Sequence, residues 1–344
     1  DYQRSRGLGD VYKRQDKFNI KKTQTMINSS LQKTLANEVN LKGVGLHTGK
    51  EVNLTFKPAP VNTGFIFVRN DLVPSVEIAA DIQYVTNTDR GTNLEKNGVS
   101  IQTSEHVLAA LVGMSVNNCY IELDAAESPI MDGSSKSFVD AIESAGVIEQ
   151  EEIIDEYIVT EPISYKDEKT GSEITLIPSD EFQVTTMVDF DTKILGTQNA
   201  SLDKITDFKE SIAPSRTFSF LHELEMLLEN GLIKGGDLNN AIVYVDKKIS
   251  TPTMEKLKKA FNRKKVSVKS NGILDNLNLH YQNEAARHKL LDILGDLALI
   301  GRRIRGKVIA KKPGHYINTE FAKKISKMIE REEIQSHKKI EFDI

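Results

Sequence analysis

"TSEHVLAALVG", residues 103–113, joins a polar start to an apolar run with helical spacing, and Thr103 and Ser104 stand before it as cap residues. "GVSIQT" before it and "NNCYIELD" (117–124) after it alternate as strands do, so the segment reads as a helix set between strands. Glu105 and His106 fall side by side in its first turn. A first-turn acid suits the helix dipole, and a lone histidine near a helix start is usually a satisfied polar residue. The other reading is a metal ligand beside a general base, which needs partners elsewhere in the chain.

Outward from this segment the pattern is a set of strands and helices in groups. Residues 31–70 alternate in "EVNLTFKPA" and "GFIFVRN", and "VEIAADIQYV" (76–85) is a further strand region. "SSKSFVDAIESAG" (134–146) reads as a helix closed by Gly146. The acidic run "EQEEIIDEY" (149–157) lacks a clean apolar period, and the domain boundary is placed there. Strands "EYIVTEPISYK", "SEITLIPS" and "FQVTTMVDF" open the second half. A helix around 220–229, the strand "NAIVYV" (240–245), a long helix over 283–303, the strand "GKVIAKKPGH" (306–315) and a helix over 318–332 follow. Grouped rather than alternating elements favour two α+β domains over a doubly wound parallel sheet.

The helix "RHKLLDILGDLALIGRR" (287–303) offers the partners. At 100° per residue, His288, Asp292 and Asp296 fall within about 80° of one another, opposite Leu290, Leu291, Ile293, Leu294 and Leu297. Imidazole nitrogen and carboxylate oxygen one turn apart suit a divalent metal, although the same spacing also makes an ordinary ion pair on a polar helix face. His106 with His288 and Asp292 would give three protein ligands and an open fourth position, with Glu105 placed as the base. His315 follows a Pro–Gly pair in "KKPGHYIN" and is expected on a loop at a strand end, where Asp296 could orient it and favour its charged form.

Other features narrow the class. The 344 residues carry a net charge of −4, which gives no general attraction to nucleic acid or to an anionic membrane. The single Cys119 excludes a disulfide framework and lies in an apolar strand as a core residue. No apolar run approaches the roughly 20 residues of a membrane span, so the expected setting is cytoplasmic, without stable membrane insertion. "GVGLHTGK" (43–50) has the wrong glycine spacing for a phosphate-binding P-loop, and Glu51 stands where Ser or Thr is required. The basic run "KLKKAFNRKK" (256–265) reads as a solvated surface, with phosphate binding the alternative. "DVYKRQ" (10–15) resembles a sequencing-adapter translation, so residues 1–15 read as an assembly scar, the natural start is expected near Met26, and residues 1–25 are set aside as a leader.

Taken in order, "GVGLHTGK", "TSEHVLAALVG", "SPIMDGSSKSF", "SRTFSF", "GLIKGGDLNNAIV", "RHKLLDILGDL" and "KPGH" resemble the UDP-3-O-acyl-N-acetylglucosamine deacetylase family over residues 31 to 335. The resemblance implies removal of acetate from UDP-3-O-(3-hydroxyacyl)-N-acetylglucosamine at the committed step of lipid A synthesis in Gram-negative bacteria. It implies an α+β fold of two similar domains, 26–150 and 151–335, with helices packed between two β-sheets and the active site between the domains. It assigns zinc, or ferrous iron, to His106, His288 and Asp292, and the general base to Glu105. His315 becomes the acid or charge stabiliser with Asp296 as its partner, Thr217 the residue that bonds the tetrahedral intermediate, and Phe218, Lys289 and Lys312 neighbours of the sugar nucleotide. An apolar insert near 219–245 is expected to pass the acyl chain, and residues 246–283 are longer than in compact members. In some relatives a 3-hydroxyacyl-ACP dehydratase follows the deacetylase. This chain would be the first part of such a fusion, with 336–344 as its linker or tail.

Overall fold

The computed structural model describes residues 30–229, 234–235, 240–246, 249–260, 266–274 and 277–342. The expected leader, 1–25, lies outside them. So do residues 261–265 of the basic run and the last two residues of the expected tail.

Two five-stranded sheets repeat one topology. The first contains β1 (Val39–Val44), β2 (Glu51–Pro58), β3 (Phe65–Arg69), β4 (Val76–Ala79) and β5 (Cys119–Leu123), ordered β1-β2-β5-β3-β4. The second contains β6 (Ile163–Asp167), β7 (Ser172–Ile177), β8 (Gln183–Asp189), β9 (Thr197–Leu202) and β10 (Lys307–Lys311), ordered β6-β7-β10-β8-β9. In each, the last strand in sequence enters the middle, antiparallel to the second strand and parallel to the third. A parallel pair needs a crossover, and in each half a helix supplies it: α1 (Glu105–Gly113) before β5 and α3 (Glu284–Ala298) before β10. A second helix follows each central strand, α2 (Lys136–Ala145) and α4 (His315–Phe342). The expected α+β fold of two similar domains is therefore present.

Strand alternation sets the core. Along β7 and β8 every second residue is buried, which turns Ile174, Leu176, Val184 and Val188 inward. Leu54, Phe56, Phe67 and Ile121 do the same in the first sheet, and both sets join one apolar cluster with Leu108 and Leu111 of α1 and Leu290 and Leu294 of α3. The helices are thus packed between the two sheets, with α1 against α3 at the centre. The polar arc of α3 is buried as well: His288, Asp292 and Asp296 are 2%, 0% and 0% exposed, which excludes a solvated helix face.

Several local expectations change. The helix expected over 283–303 ends at Ala298, because Gly301 takes a left-handed φ of 74° and Arg303–Arg305 pairs parallel to Glu156–Ile158. The helix expected over 318–332 begins at His315, directly after the Pro–Gly turn, so His315 is a helix residue and not a loop residue. The acidic run is largely strand: Val147–Ile153 pairs antiparallel with Leu31–Leu35. Ser104 precedes α1 without capping it; its hydroxyl donates instead to the Thr92 carbonyl at 2.8 Å. Thr103 takes a left-handed φ of 57°, its hydroxyl directed to Glu127.

Candidate active site

Helices α1 and α3 meet so that the first turn of one faces the second and third turns of the other. Possible ligand atoms of His106, His288 and Asp292 lie within 4.8 Å of one another. Asp292 Oδ1 stands 3.8 Å from His106 Nε2 and 3.4 Å from His288 Nε2. Tetrahedral ligands at zinc distances would be about 3.3 Å apart, so the spacing fits an ion between them. Asp292 Oδ1 is also buried with no hydrogen-bond partner, as is His106 Nδ1. A buried carboxylate oxygen left unpaired is costly, and a cation at that point would satisfy it.

Electrostatics agree with the geometry. Burial, then the neighbouring His288, lowers the His106 imidazole to about 3, and burial lowers His288 as well, so both are neutral and able to ligate. Burial would raise the Asp292 carboxyl, but the hydrogen-bonded Lys289 ammonium and the cationic His315 hold it well below the usual carboxylate range. His288 Nδ1 donates to the Ser215 carbonyl at 3.0 Å, which fixes the tautomer and leaves Nε2 toward Asp292. Asp292 Oδ2 accepts from Lys289 Nζ at 2.7 Å. These residues fit a divalent metal.

Glu105 is 3% exposed, and burial pushes its carboxyl up to about 7, the range of a general base at neutral pH. Its Oε1 lies 3.9 Å from His315 Nε2, and His315 Nδ1 is 3.0 Å from Asp296 Oδ2. Burial would lower His315, yet Asp296, Asp292 and Glu105 outweigh it and hold the imidazole up at about 9. A carboxyl raised toward neutrality and an imidazole held cationic thus face each other beside the ligand cluster.

A cavity of about 330 Å³ opens onto this cluster. Glu105, His106, Thr217, Phe218, His288, Lys289, Asp292 and His315 line it. Asp296 sits behind His315, and Lys312 is outside the lining, 3.7 Å from Asp191. An apolar wall of Phe190, Phe218, Phe220, Leu224 and Val243 lines the same cavity. Phe218 packs edge-on against Phe190, Tyr244 and His288, and Lys289 Nζ lies 5.7 Å from its ring centre. Apart from Phe190, which follows β8, the wall comes from or directly borders the segment expected near 219–245 to pass an acyl chain: strand Phe218–Phe220, helix Leu221–Glu229 and strand Ile242–Tyr244, the two strands pairing in parallel. Residues 230–233 and 236–239 of that segment lie outside the described residues.

Sequence reading missed the residues that hold the site. His47, from the loop set aside as no P-loop, lines the cavity, and its backbone N–H donates to buried Glu127 at 2.9 Å. Arg216 and Glu284, 5% and 0% exposed, pair at 2.8 Å and fasten the segment of Ser215 and Thr217, just before strand Phe218–Phe220, to the start of α3. Thr92 touches Glu105, Asp296 and His315. None of these lies in a pattern with a local periodic signal.

Three clustered side chains able to ligate a metal, a buried carboxylate raised toward neutrality beside them and an adjoining cavity are features by which metal-dependent hydrolases are recognised. A family model for LpxC, UDP-3-O-acyl N-acetylglycosamine deacetylase, matches residues 32–267 and 254–327, and the chain belongs to that family. It is 44% identical over 306 residues to the bifunctional enzyme LpxC/FabZ of Chlorobaculum tepidum, covering 88% of this chain and 66% of that protein. It is 45% identical over 305 residues to the Porphyromonas gingivalis protein of the same name, covering 89% and 66%. The UDP-3-O-acyl-N-acetylglucosamine deacetylase of Hahella chejuensis is 38% identical over 297 residues, 86% of this chain and 90% of that one. The chain thus spans 66% of the length of the two bifunctional relatives.

Proposed function

We propose that the protein hydrolyses the N-acetyl group of UDP-3-O-(3-hydroxyacyl)-N-acetylglucosamine, giving acetate and the free glucosamine, the committed step of lipid A biosynthesis. The observation that carries this reading is the unpaired Asp292 Oδ1 between two imidazoles, beside Glu105, in a cavity that also carries an aromatic wall. Family membership and the names of the relatives support the same substrate.

His106, His288 and Asp292 would hold the metal, zinc in this reading, with ferrous iron the alternative. When bound, the ion supplies Lewis acidity, polarising the acetamide carbonyl and acidifying water. Glu105 takes the proton of the attacking water. Thr217, whose backbone is fixed to the Gly133 carbonyl at 2.7 Å, donates its hydroxyl to the developing oxyanion. His315, cationic at neutral pH, stabilises the same charge and then protonates the leaving amine, while Asp296 orients its ring. Phe218 and Lys289 contact the sugar nucleotide, with Lys312 farther out. The aromatic wall excludes water and takes the first part of the acyl chain.

The chain divides near residue 150 into two deacetylase domains, 26–150 and 151–335, with the acyl passage near 219–245 and 336–344 leading onward. Among the described residues no helix is long and apolar enough to cross a membrane, and a cytoplasmic site of action follows from the water-soluble nucleotide half of the substrate. A fused dehydratase domain, as the names of the bifunctional relatives indicate for those proteins, is the proposed continuation. The test is deacetylation by purified protein of the 3-O-acylated UDP-sugar and of plain UDP-N-acetylglucosamine, before and after chelation and metal return. Equal turnover of the two sugars, or turnover unchanged by chelation, would refute the proposal.

A further inference from the structure

Thr92 is fully buried in the loop between strands Val85–Asn87 and Asn93–Lys96, and each of its polar groups is committed to the site. Its backbone N–H donates to Glu105 Oε2 at 2.9 Å. Its carbonyl accepts from Ser104 N at 3.2 Å and Ser104 Oγ at 2.8 Å, which ties it to the residue before α1. Its hydroxyl lies 2.5 Å from Asp296 Oδ1 and 3.3 Å from His315 Nδ1.

The donor and acceptor inventory fixes the directions. A hydroxyl has one proton, and a carboxylate only accepts, so the Thr92 proton goes to Asp296 Oδ1. Asp296 Oδ2 then accepts from Asn318 Nδ2 at 2.8 Å and from His315 Nδ1 at 3.0 Å. His315 Nδ1 therefore faces two acceptors, Asp296 Oδ2 and the Thr92 hydroxyl oxygen, and its proton is held there. Nε2 is left facing Glu105 Oε1 and Asp292 Oδ2, each at 3.9 Å. The same threonine, through its N–H, holds Glu105 Oε2 and so turns Oε1 toward His315.

We propose that Thr92 is the positioning residue that couples the two proton-handling groups: its peptide N–H orients Glu105, and its hydroxyl helps keep a proton on His315 Nδ1, so that Nε2 is the nitrogen from which His315 gives up its proton. This rests on the roles given above to Glu105 and His315. Asp296 bonds His315 and Asn318 bonds Asp296, whereas Thr92 bonds both Glu105 and the Asp296–His315 pair, so neither of the other two can take its place.

Valine has nearly the shape of threonine and keeps the backbone N–H, so Thr92→Val removes the hydroxyl alone, and Thr92→Ser restores it. In metal-loaded protein turning over the 3-O-acylated UDP-sugar, Thr92→Val is expected to lower kcat about 10-fold to 100-fold, the usual effect of removing an outer hydrogen-bond partner. KM should stay within about 3-fold and metal content should be unchanged, with Thr92→Ser returning kcat to within about 3-fold of wild type. Histidine ¹⁵N NMR at about pH 10.5, above the group held at about 9, reads the neutral ring: it should show His315 as the Nδ1–H tautomer in wild type and Thr92→Ser, and as a mixture in Thr92→Val. Should Thr92→Val not fold, Thr92→Ala is read by the same measures. Wild-type kcat in the hydroxyl-free variant, a rise in KM alone, or an unchanged tautomer would overturn the inference. A wild-type protein inactive on the acylated sugar would overturn the proposed function instead, and the NMR comparison would still decide the role of Thr92.

Discussion

Gly295 of α3 and Glu105 of α1 meet backbone to backbone: a Cβ added at Gly295 would lie 2.1 Å from the Glu105 carbonyl oxygen and 2.9 Å from its Cα. No side-chain rotation relieves such a contact, because the opposing atoms are main chain. The approach is what lets His106 on one helix and Asp292 on the other share a point in space. Gly295→Ala should therefore force the helices apart. Overpacking of this kind costs about 1–3 kcal/mol, and more where backbone opposes it. The expected result is a lower unfolding midpoint together with substoichiometric metal. An alanine variant with full metal content and activity would mean that the crossing can widen without disturbing the site.

Glu105 and His106 are adjacent in sequence but separable by mutation. Glu105 is outside the ligand cluster, so Glu105→Ala should retain metal while kcat falls about 10²-fold to 10⁴-fold, the range for loss of general base catalysis. His288→Ala removes a ligand and should lose metal. Metal analysis alongside turnover distinguishes the two; equal metal loss in both would contradict the division of roles.

How much of this was readable beforehand follows from the physics of each signal. The helix starting at Glu105 and the His–x₃–Asp spacing of α3 are local periodic patterns, and both were legible. The strand alternation gave the grouped elements of an α+β fold, and the ordered motifs pointed to two similar domains. The end of α3 was misplaced because the pattern remains apolar through Leu299 and Ile300, whereas the stop comes from a left-handed turn at Gly301 and pairing of Arg303–Arg305 with a distant strand. Thr92, Arg216 and Glu284 were invisible because the partners that give them their place, Glu105, Asp296 and His315 for Thr92 and each other for Arg216 and Glu284, lie 13 to 223 residues away and no periodicity links them. Cap residues misled in the same way: Ser104 has the right type and place, yet a tertiary partner, the Thr92 carbonyl, takes its hydroxyl.

Arg216 and Glu284 supply a test of that hidden support. Glu284 accepts from Arg216 Nε at 2.8 Å, from the Arg216 backbone N–H at 3.1 Å and from the His280 N–H at 2.7 Å. Arg216→Met leaves a carboxylate buried without its cation and should destabilise by about 3–5 kcal/mol. Glu284→Leu also strands two N–H groups, so combining it with Arg216→Met should not restore wild-type stability. Denaturant unfolding of the three variants checks this, and a fully stable double variant would show that the pair is dispensable.

The two proton-handling groups also predict a pH profile with a definite sign. Glu105 acts as a base only when deprotonated, and burial raises it to about 7, so kcat/KM should rise as pH passes through that region. His315 acts only when protonated and is held at about 9, so kcat/KM should fall as pH passes above it. A bound cation adds positive charge beside both and moves both limbs to lower pH without reversing their order. Asp296→Asn removes the carboxylate that does most to raise His315 against its burial. Its alkaline limb should therefore move to lower pH, while the acidic limb moves less, because Asp296 raises Glu105 only after burial has done so. Steady-state kinetics of wild type and Asp296→Asn from pH 5 to 10 would measure both limbs, with that interval chosen about two units beyond the group at 7 and one beyond the group at 9. An alkaline limb unmoved in Asp296→Asn would mean that the falling rate reports some other group than His315.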